Sequence, residues 1–576
     1  MAANIPIKNE LPKNQTIGYV VGGGLKDNLN VRLTVPPQQV QEGSFVVIKS
    51  GDWSFYGLVT DLQLGSTDPR FADEQSETRL PPGLASLLHG QTLYTNLVVL
   101  PALMQETGPE LDSPRYLAWS AAQPEGKNRP IPPKTIPSHH ALVRLADAGN
   151  IAEVFGKPEK EGNFVVGNTR EQDLPVCINL EKFVQRSAGI FGATGTGKSF
   201  LTRIILAGLI HYNKASVLVF DMHNEYGFDD TASDTNQRVI GLKTKFHSKV
   251  RIVGLGRNAT IRGQSPDFQL EIAEKDIQPE DVELLTRELN LKETTPTTLE
   301  ALQHSFGAAA WFREFKAMDV GTTVETDEGK RVPAPGSVAA WANEVGVNVA
   351  AAEGLHSKLN RLFNKPYIVE RPAADSLREI IKALEGGQHV ILSFGDFDSD
   401  LDYLLVTNLL TRLIRATWEE RTNTFRSGQH GEKEPRQLVV VVEEAHKLLN
   451  REMAAQTTFS TIAREMRKYY VTLLIIDQRP SQIYDEVLSQ LGTRISGWLG
   501  DENDVQAVLS GLAGRDALRG MLSRLQPKEE VLLLGWGVPM PIPVRSRRYD
   551  QRFWDELSGK SAGNRTEADI LKELGF

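Results

Sequence analysis

The chain has 576 residues, a net charge of −9 and a hydrophobic fraction of 40%. That length holds about two to four domains with filled cores, and the mild acidity excludes an unstructured basic nucleic-acid arm while leaving room for a local basic channel. One cysteine, Cys177, excludes an intrachain disulfide and fits a reducing cytoplasm. No apolar run approaches the roughly 18 residues of a spanning helix, and the N-terminal stretch MAANIPIKNELPKNQ lacks a signal-peptide core. A soluble, cytoplasmic protein with no membrane partner is expected.

In chain order, residues 1 to about 105 are β-rich. Strand-like runs at 17–21, 30–35, 45–48 and 56–60, punctuated by Gly, Pro and Asn, predict a small barrel. Proline-rich loops follow at 107–114 and 124–137. A few further strands between 141 and 185 lead to a short buried strand at 188–191 and a helix at 200–212. Apolar runs at 216–220, 250–253, 389–393, 438–442, 472–476 and 531–534 alternate with helices. Such runs read as strands of a parallel α/β sheet buried on both faces. Between them, 280–289, 298–315, 339–362 and 375–384 read as helices, with a Gly/Thr/Asp/Pro-rich loop at 319–337. This stretch is expected to be a helical insertion into the sheet.

The segment Gly192-Ala193-Thr194-Gly195-Thr196-Gly197-Lys198-Ser199 fits the phosphate-binding pattern G-x-x-x-x-G-K-[ST] at every fixed position. A strand before it and a helix after it make an anion cradle of backbone N–H groups at a helix N-terminus. Lys198 then reaches the β- and γ-phosphates of ATP, and Ser199 ligates Mg²⁺. The 438–442 strand ends in Glu443-Glu444, which suits Mg²⁺ coordination by Glu443 and deprotonation of water by Glu444. The 216–220 strand ends in Asp221, followed by His223 and Glu225. Asp221 and Glu225 sit where ligands bind in such sheets and are expected to tune the water or touch nucleotide, whereas His223 reads as a structural hydrogen-bonder. The 472–476 strand ends in Asp477-Gln478, placing Gln478 near the γ-phosphate. Upstream, Arg464, Arg467 and Lys468 crowd one helical face, from which an arginine could reach a neighbouring subunit's nucleotide. Arg494 competes for that role.

Taken together, Phe191 to Ser199, Phe220 to Tyr226, Val442-Glu443-Glu444-Ala445-His446, and Ala463 to Tyr469 followed by Asp477-Gln478-Arg479-Pro480-Ser481 resemble the HerA family within the HerA/FtsK group of hexameric P-loop ATPases that translocate DNA. The chain departs from that family at Glu443, where Asp is usual, at Asn224, where Gly is usual, and at Met466, where Gly precedes Arg467-Lys468. The resemblance implies an α/β fold with a RecA-like core, a small N-terminal barrel and a helical insertion. The division expected is 1–170 for the barrel and its proline-rich loops, 171–264 and 386–545 for the core, 265–385 for the insertion and 546–576 for a C-terminal arm.

The resemblance also implies a homohexamer that binds ATP and Mg²⁺ and passes duplex DNA through its pore without reading sequence. Nucleotide contacts would fall on Gly192, Thr194, Gly195, Thr196, Gly197, Lys198, Ser199, Phe200, Asp221 and Glu225, metal contacts on Ser199 and Glu443, and catalytic roles on Lys198, Glu444, Gln478, Arg467 and Arg464. A partner would dock on the barrel, either a NurA-type nuclease or an anti-phage effector such as a sirtuin-type NADase or another nuclease. The 24% charged fraction, with plentiful Asn and Gln, points to a mesophile of bacterial type. Pore candidates are Lys243, Lys245, Lys249, Arg251, Arg257 and Arg262, and the loop 426–436 with His430 and Lys433. Arg545, Arg547 and Arg548 begin an arm suited to bracing a neighbouring subunit. The alternative is an ATP-dependent assembly scaffold that gates a defence effector, with DNA pumping secondary.

Overall fold

The computed structural model describes residues 15–67, 93–109, 113–122, 129–170, 172–231, 238–327, 329–428, 431, 433–454, 458–512 and 514–559. The N-terminal stretch 1–14, part of the second proline-rich loop, His430 and residues 560–576 of the expected arm lie outside them. The chain groups into two compact units. One holds Met1–Phe183, Ile190–Leu201 and Gly492–Arg548; the other holds Val184–Gly189, Thr202–Leu491 and Tyr549–Phe576.

The barrel expected from the first strand runs is present. Its strands are β1 (Thr16–Gly22), β2 (Leu29–Leu33), β3 (Phe45–Ser50), β4 (Trp53–Ser66), β5 (Leu93–Glu106) and β6 (Leu142–Leu145). They close in the order β1-β2-β5-β4-β3-β6. Alternation turns Ile17, Val31, Val46, Ile48, Val59, Leu97, Val99 and Val143 inward, where they form one apolar core. The remaining strands follow as β7 (Asn163–Thr169), β8 (Pro175–Asn179), β9 (Ala188–Phe191), β10 (Ser216–Asp221), β11 (Val250–Leu255), β12 (Phe268–Leu270), β13 (His389–Ser393), β14 (Leu438–Glu443), β15 (Val471–Asp477), β16 (Thr493–Ser496), β17 (Glu530–Gly535) and β18 (Ile542–Ser546).

In the first unit, β16, β17, β18, β7 and β8 pair antiparallel in that order. In the second, β12-β11-β13-β10-β14-β15 form a parallel run. Every residue of β10, β13, β14 and β15 is buried, as the near-continuous apolar runs require. Parallel strands align their carboxyl ends, so Asp221, Ser393, Glu443 and Asp477 end their strands on one side. Among the described residues, no helix is long and apolar enough to cross a membrane.

The 265–385 stretch is mainly helical, with its breaks set by caps. The run 298–315 divides into Thr295–Phe306 and Trp311–Ala317 at Gly307, whose φ of 76° ends the first helix. The run 339–362 divides at Gly346, which is left-handed, and Asn348 restarts the helix by accepting the Ala351 N–H at 2.9 Å. The 319–337 loop contains a two-stranded hairpin, Thr323–Glu325 with Arg331–Pro333.

His389 opens β13 with both ring nitrogens buried and unbonded. Burial, with Arg436 and Lys249 adding to it, lowers its pKa from 6.5 to about 3. The folded value lies below the unfolded one, so folding excludes a proton that the unfolded chain takes up. Stability is therefore unaffected above pH 6.5 and falls as pH drops toward 3, by about 1.4 kcal/mol per unit for this group. His389→Leu is expected to flatten the acid limb of a urea-unfolding series by one proton. An unchanged limb would mean that His389 titrates normally in the folded chain.

Candidate active site

The phosphate loop belongs to the first unit. β9 is wholly buried and delivers the chain to Gly192; helix α1 (Lys198–Tyr212) leaves from the other end. Thr196 Oγ1 donates to the Ala193 carbonyl at 2.7 Å. Lys198 Nζ donates to the carbonyls of Gly192 and Ala193 at 2.7 and 3.0 Å, which pins its ammonium over the loop. The following strand braces the outside: Ala193 N–H donates to the Trp498 carbonyl at 2.9 Å, and Gly497 N–H to the Phe191 carbonyl at 2.8 Å.

Geometry favours glycine at three loop positions, Gly195 among them with φ +76°. A Cβ on Gly192 would lie 2.6 Å from Thr196 Oγ1, and Gly197 has φ +90°. Thr194 and Gly195 form the exposed crown, while Ser199 and Phe200 in the first turn of α1 are half-buried. The result is a loop with an exposed crown, braced by Thr196 and Lys198, at a helix N-terminus suited to an anion.

The second unit carries the carboxylates. Asp221 is fully buried, and its two oxygens accept the N–H groups of Glu225 at 2.7 Å and Tyr226 at 3.0 Å. Burial raises its pKa to about 6 despite those bonds. Asp221 thus shapes the turn after β10, and that turn places the Tyr226 hydroxyl to donate to Glu443 Oε1 at 2.6 Å. Burial, followed by the negative charge of Asp221, raises the Glu443 carboxyl well above the usual range. Glu443 Oε2 and Glu225 Oε2 are buried without a hydrogen-bond partner. An orphaned carboxylate oxygen on Glu443 fits a cation ligand. His223 is exposed.

Tyr226→Phe would leave Glu443 Oε1 buried without its donor. A loss of about 1–3 kcal/mol in unfolding free energy is expected. Unchanged stability by urea unfolding would show that this bond contributes nothing.

Beyond β14 the backbone takes an unusual step: Glu444 has φ +46°, a left-handed conformation rare for a side-chain-bearing residue. Its Oε1 accepts from Gln478 Nε2 at 3.0 Å. The His446 backbone N–H donates to Asp477 Oδ2 at 2.7 Å, and His446 Nδ1 lies 3.0 Å from that oxygen and 3.6 Å from Glu444 Oε2. The hydrogen bond with Asp477 raises the His446 pKa. From helix α2 (Asp400–Arg426), the Tyr403 hydroxyl donates to the Glu443 carbonyl at 2.9 Å. The step from β14 to Glu444 is therefore held by contacts from three other elements.

The structure thus joins Glu443 to the Asp221 turn, and Glu444 to Gln478. Arg464 pairs with Glu486 at 3.3 Å, and Arg467 is exposed. Arg494 is buried; its guanidinium donates to the carbonyls of Val508 and Ser510, and burial lowers its pKa to about 10. It closes off the helix Glu502–Leu509 and cannot extend to a neighbour.

Much of the basic cluster at 243–262 is neutralised within the chain. Lys243 pairs with Asp267 at 2.7 Å, Arg257 with Glu271 at 2.9 Å, and Arg262 with Asp230. Arg251 lies over Phe268 and Lys245 over Trp554. Sequence reading missed Tyr226 and Tyr403 as supports of Glu443, because nothing local distinguishes their hydroxyls from those of ordinary buried tyrosines.

The phosphate loop closed by Lys198 is that of a P-loop ATPase, and the second unit carries a parallel sheet whose strands end in acids. Residues 164–414 match the family described as the central domain of the helicase HerA. The DNA double-strand break repair helicase HerA of Sulfurisphaera tokodaii is 24% identical over 565 residues, covering 97% of this chain and 96% of the relative. Its namesake from Sulfolobus acidocaldarius is 24% identical over 571 residues, covering 97% of each. The chain is thus similar to this family over its central region and to these relatives over nearly its whole length. Among solved structures, the bacterial conjugative coupling protein TrwBdeltaN70 is similar with a TM-score of 0.44 and 12% identity, covering 71% of this chain and 93% of that one. VirB4 of Thermoanaerobacter pseudethanolicus is similar with a TM-score of 0.43 and 14% identity, covering 69% and 99%.

Proposed function

We propose that this protein is an ATP-hydrolysing motor that translocates duplex DNA as a homohexameric ring. The observation that carries the reading is the Glu444–Gln478 pair at the ends of adjacent parallel strands, in a chain aligned over nearly its whole length with repair helicases. The triphosphate binds the loop N–H groups and Lys198. Ser199 and Glu443 would hold Mg²⁺, which neutralises charge on the phosphates when bound. Glu444 accepts the proton of the attacking water, and Gln478 aims Glu444 at it. Arg467, exposed and on the segment that precedes β15, acts on a neighbouring subunit's nucleotide, with Arg464 as the second candidate. A nuclease or NADase effector docks on the barrel.

One observation favours the scaffold alternative. The ion pairs at 243–262 consume cations that a DNA pore would use. Steady-state ATP turnover with and without long duplex DNA, with Lys198→Ala as the blank, separates the two. A several-fold rise on duplex that fades with salt is expected of a motor. Turnover indifferent to duplex, with effector binding intact in Lys198→Ala, would establish the scaffold instead.

A further inference from the structure

A second lysine stands beside the phosphate loop. In the first unit, Gln526-Pro527-Lys528-Glu529 makes a tight turn, with Glu529 N–H donating to the Gln526 carbonyl at 3.3 Å. Lys528 has φ +67°. With Pro at the second position, this is a turn whose third residue needs a positive φ and is ordinarily Gly or Asn.

The turn is firmly built. Glu530 Oε2 accepts the Gln526 N–H at 2.9 Å and Arg170 Nη2 at 2.7 Å, and that ion pair is largely buried. Ser546 N–H donates to the Glu529 carbonyl at 2.8 Å. The turn then abuts the loop: a Cβ built on Gly197 would lie 3.7 Å from Lys528 Cα and 3.9 Å from its carbonyl oxygen. The Lys528 side chain itself is exposed.

Resting on the nucleotide-binding reading above, we propose that Lys528 is a second phosphate-binding cation, which contacts the polyphosphate of the nucleotide held by the loop. Two observations converge on this. Its backbone borders the space that a Cβ on Gly197, the loop residue before Lys198, would occupy, so a four-carbon stem carries its ammonium into the anion's surroundings. It also keeps a long side chain where the backbone would be less strained with glycine, and strain retained beside a ligand loop marks a side chain in use. Lys528 therefore adds to the affinity for the triphosphate through charge, while the loop supplies the geometry.

The test compares wild type, Lys528→Gly, Lys528→Arg and Lys198→Ala in binding N-methylanthraniloyl-ATP with Mg²⁺, alongside thermal midpoints without nucleotide. Lys528→Gly fits the turn better, so its midpoint is expected to equal or exceed that of wild type. Its binding is expected to weaken about tenfold, most strongly at low salt, and Lys528→Arg is expected to restore most of the loss. A Lys528→Gly protein that binds like wild type, while Lys198→Ala has lost binding, overturns the role of Lys528 and leaves the nucleotide site standing. A wild-type chain that binds no ATP overturns both.

Discussion

Glu444→Gln is expected to cut ATP turnover by about 10²–10⁴-fold, the usual contribution of a positioned general base, while ATP binding stays close to wild type. The substitution keeps size and shape. The new amide oxygen can still accept from Gln478, so the hydrogen bond at 3.0 Å need not be lost. What disappears is the carboxylate able to take a proton from water. Nucleotide affinity resides in the loop and the cations beside it, to which Glu444 does not belong. Single-turnover hydrolysis measured beside analogue binding checks both halves. Hydrolysis at the wild-type rate would place the base elsewhere, and loss of binding would make Glu444 a structural residue.

Lys198→Ala is expected to act on both quantities. Its ammonium is the loop's own cation, held over the cradle by the carbonyls of Gly192 and Ala193. Removing a preorganised donor of charge-developing oxygens costs about 10²–10³ in rate, and here it also removes a direct contact to the ground-state phosphates. Turnover at saturating ATP and the affinity for an ATP analogue should both fall. If affinity holds while turnover falls, Lys198 acts only on the transition state. If neither changes, the loop is not the site of hydrolysis.

The loop was legible in the sequence because its chemistry is local: eight consecutive residues fix the cradle, the cation and the metal ligand. The barrel was legible because its short apolar runs, such as Phe45 to Ile48, are punctuated by Gly, Pro and Asn. The run 30–35 was overextended, since β2 stops at Leu33. The helix breaks at Gly307 and Gly346 were hidden inside apolar periodic runs, where only the cap conformation ends the helix.

Contacts that join distant residues left no local trace. Tyr226 reaches Glu443 only because a buried Asp221 bends the chain behind it. Arg494 competes in the sequence for a role at a neighbouring subunit, yet its own chain buries it. The lysines and arginines at 243–262 read as a basic face because the partner acids lie on other strands and loops.

The interleaved parallel strands also constrain how the chain can fold. β13 lies between β11 and β10, although β11 ends at Leu255 and β13 begins only at His389. Closing that long excursion is thermodynamically mild, since each doubling of a loop costs about 0.6 kcal/mol. Kinetically it is demanding, because the central pairing cannot form until synthesis has passed the whole insertion. Until then β10 and β11 lack the strand that separates them in the finished sheet, and their apolar edges stay open to other chains. Expression at lower temperature, or with a chaperone that shields those edges, therefore bears directly on the yield of native protein.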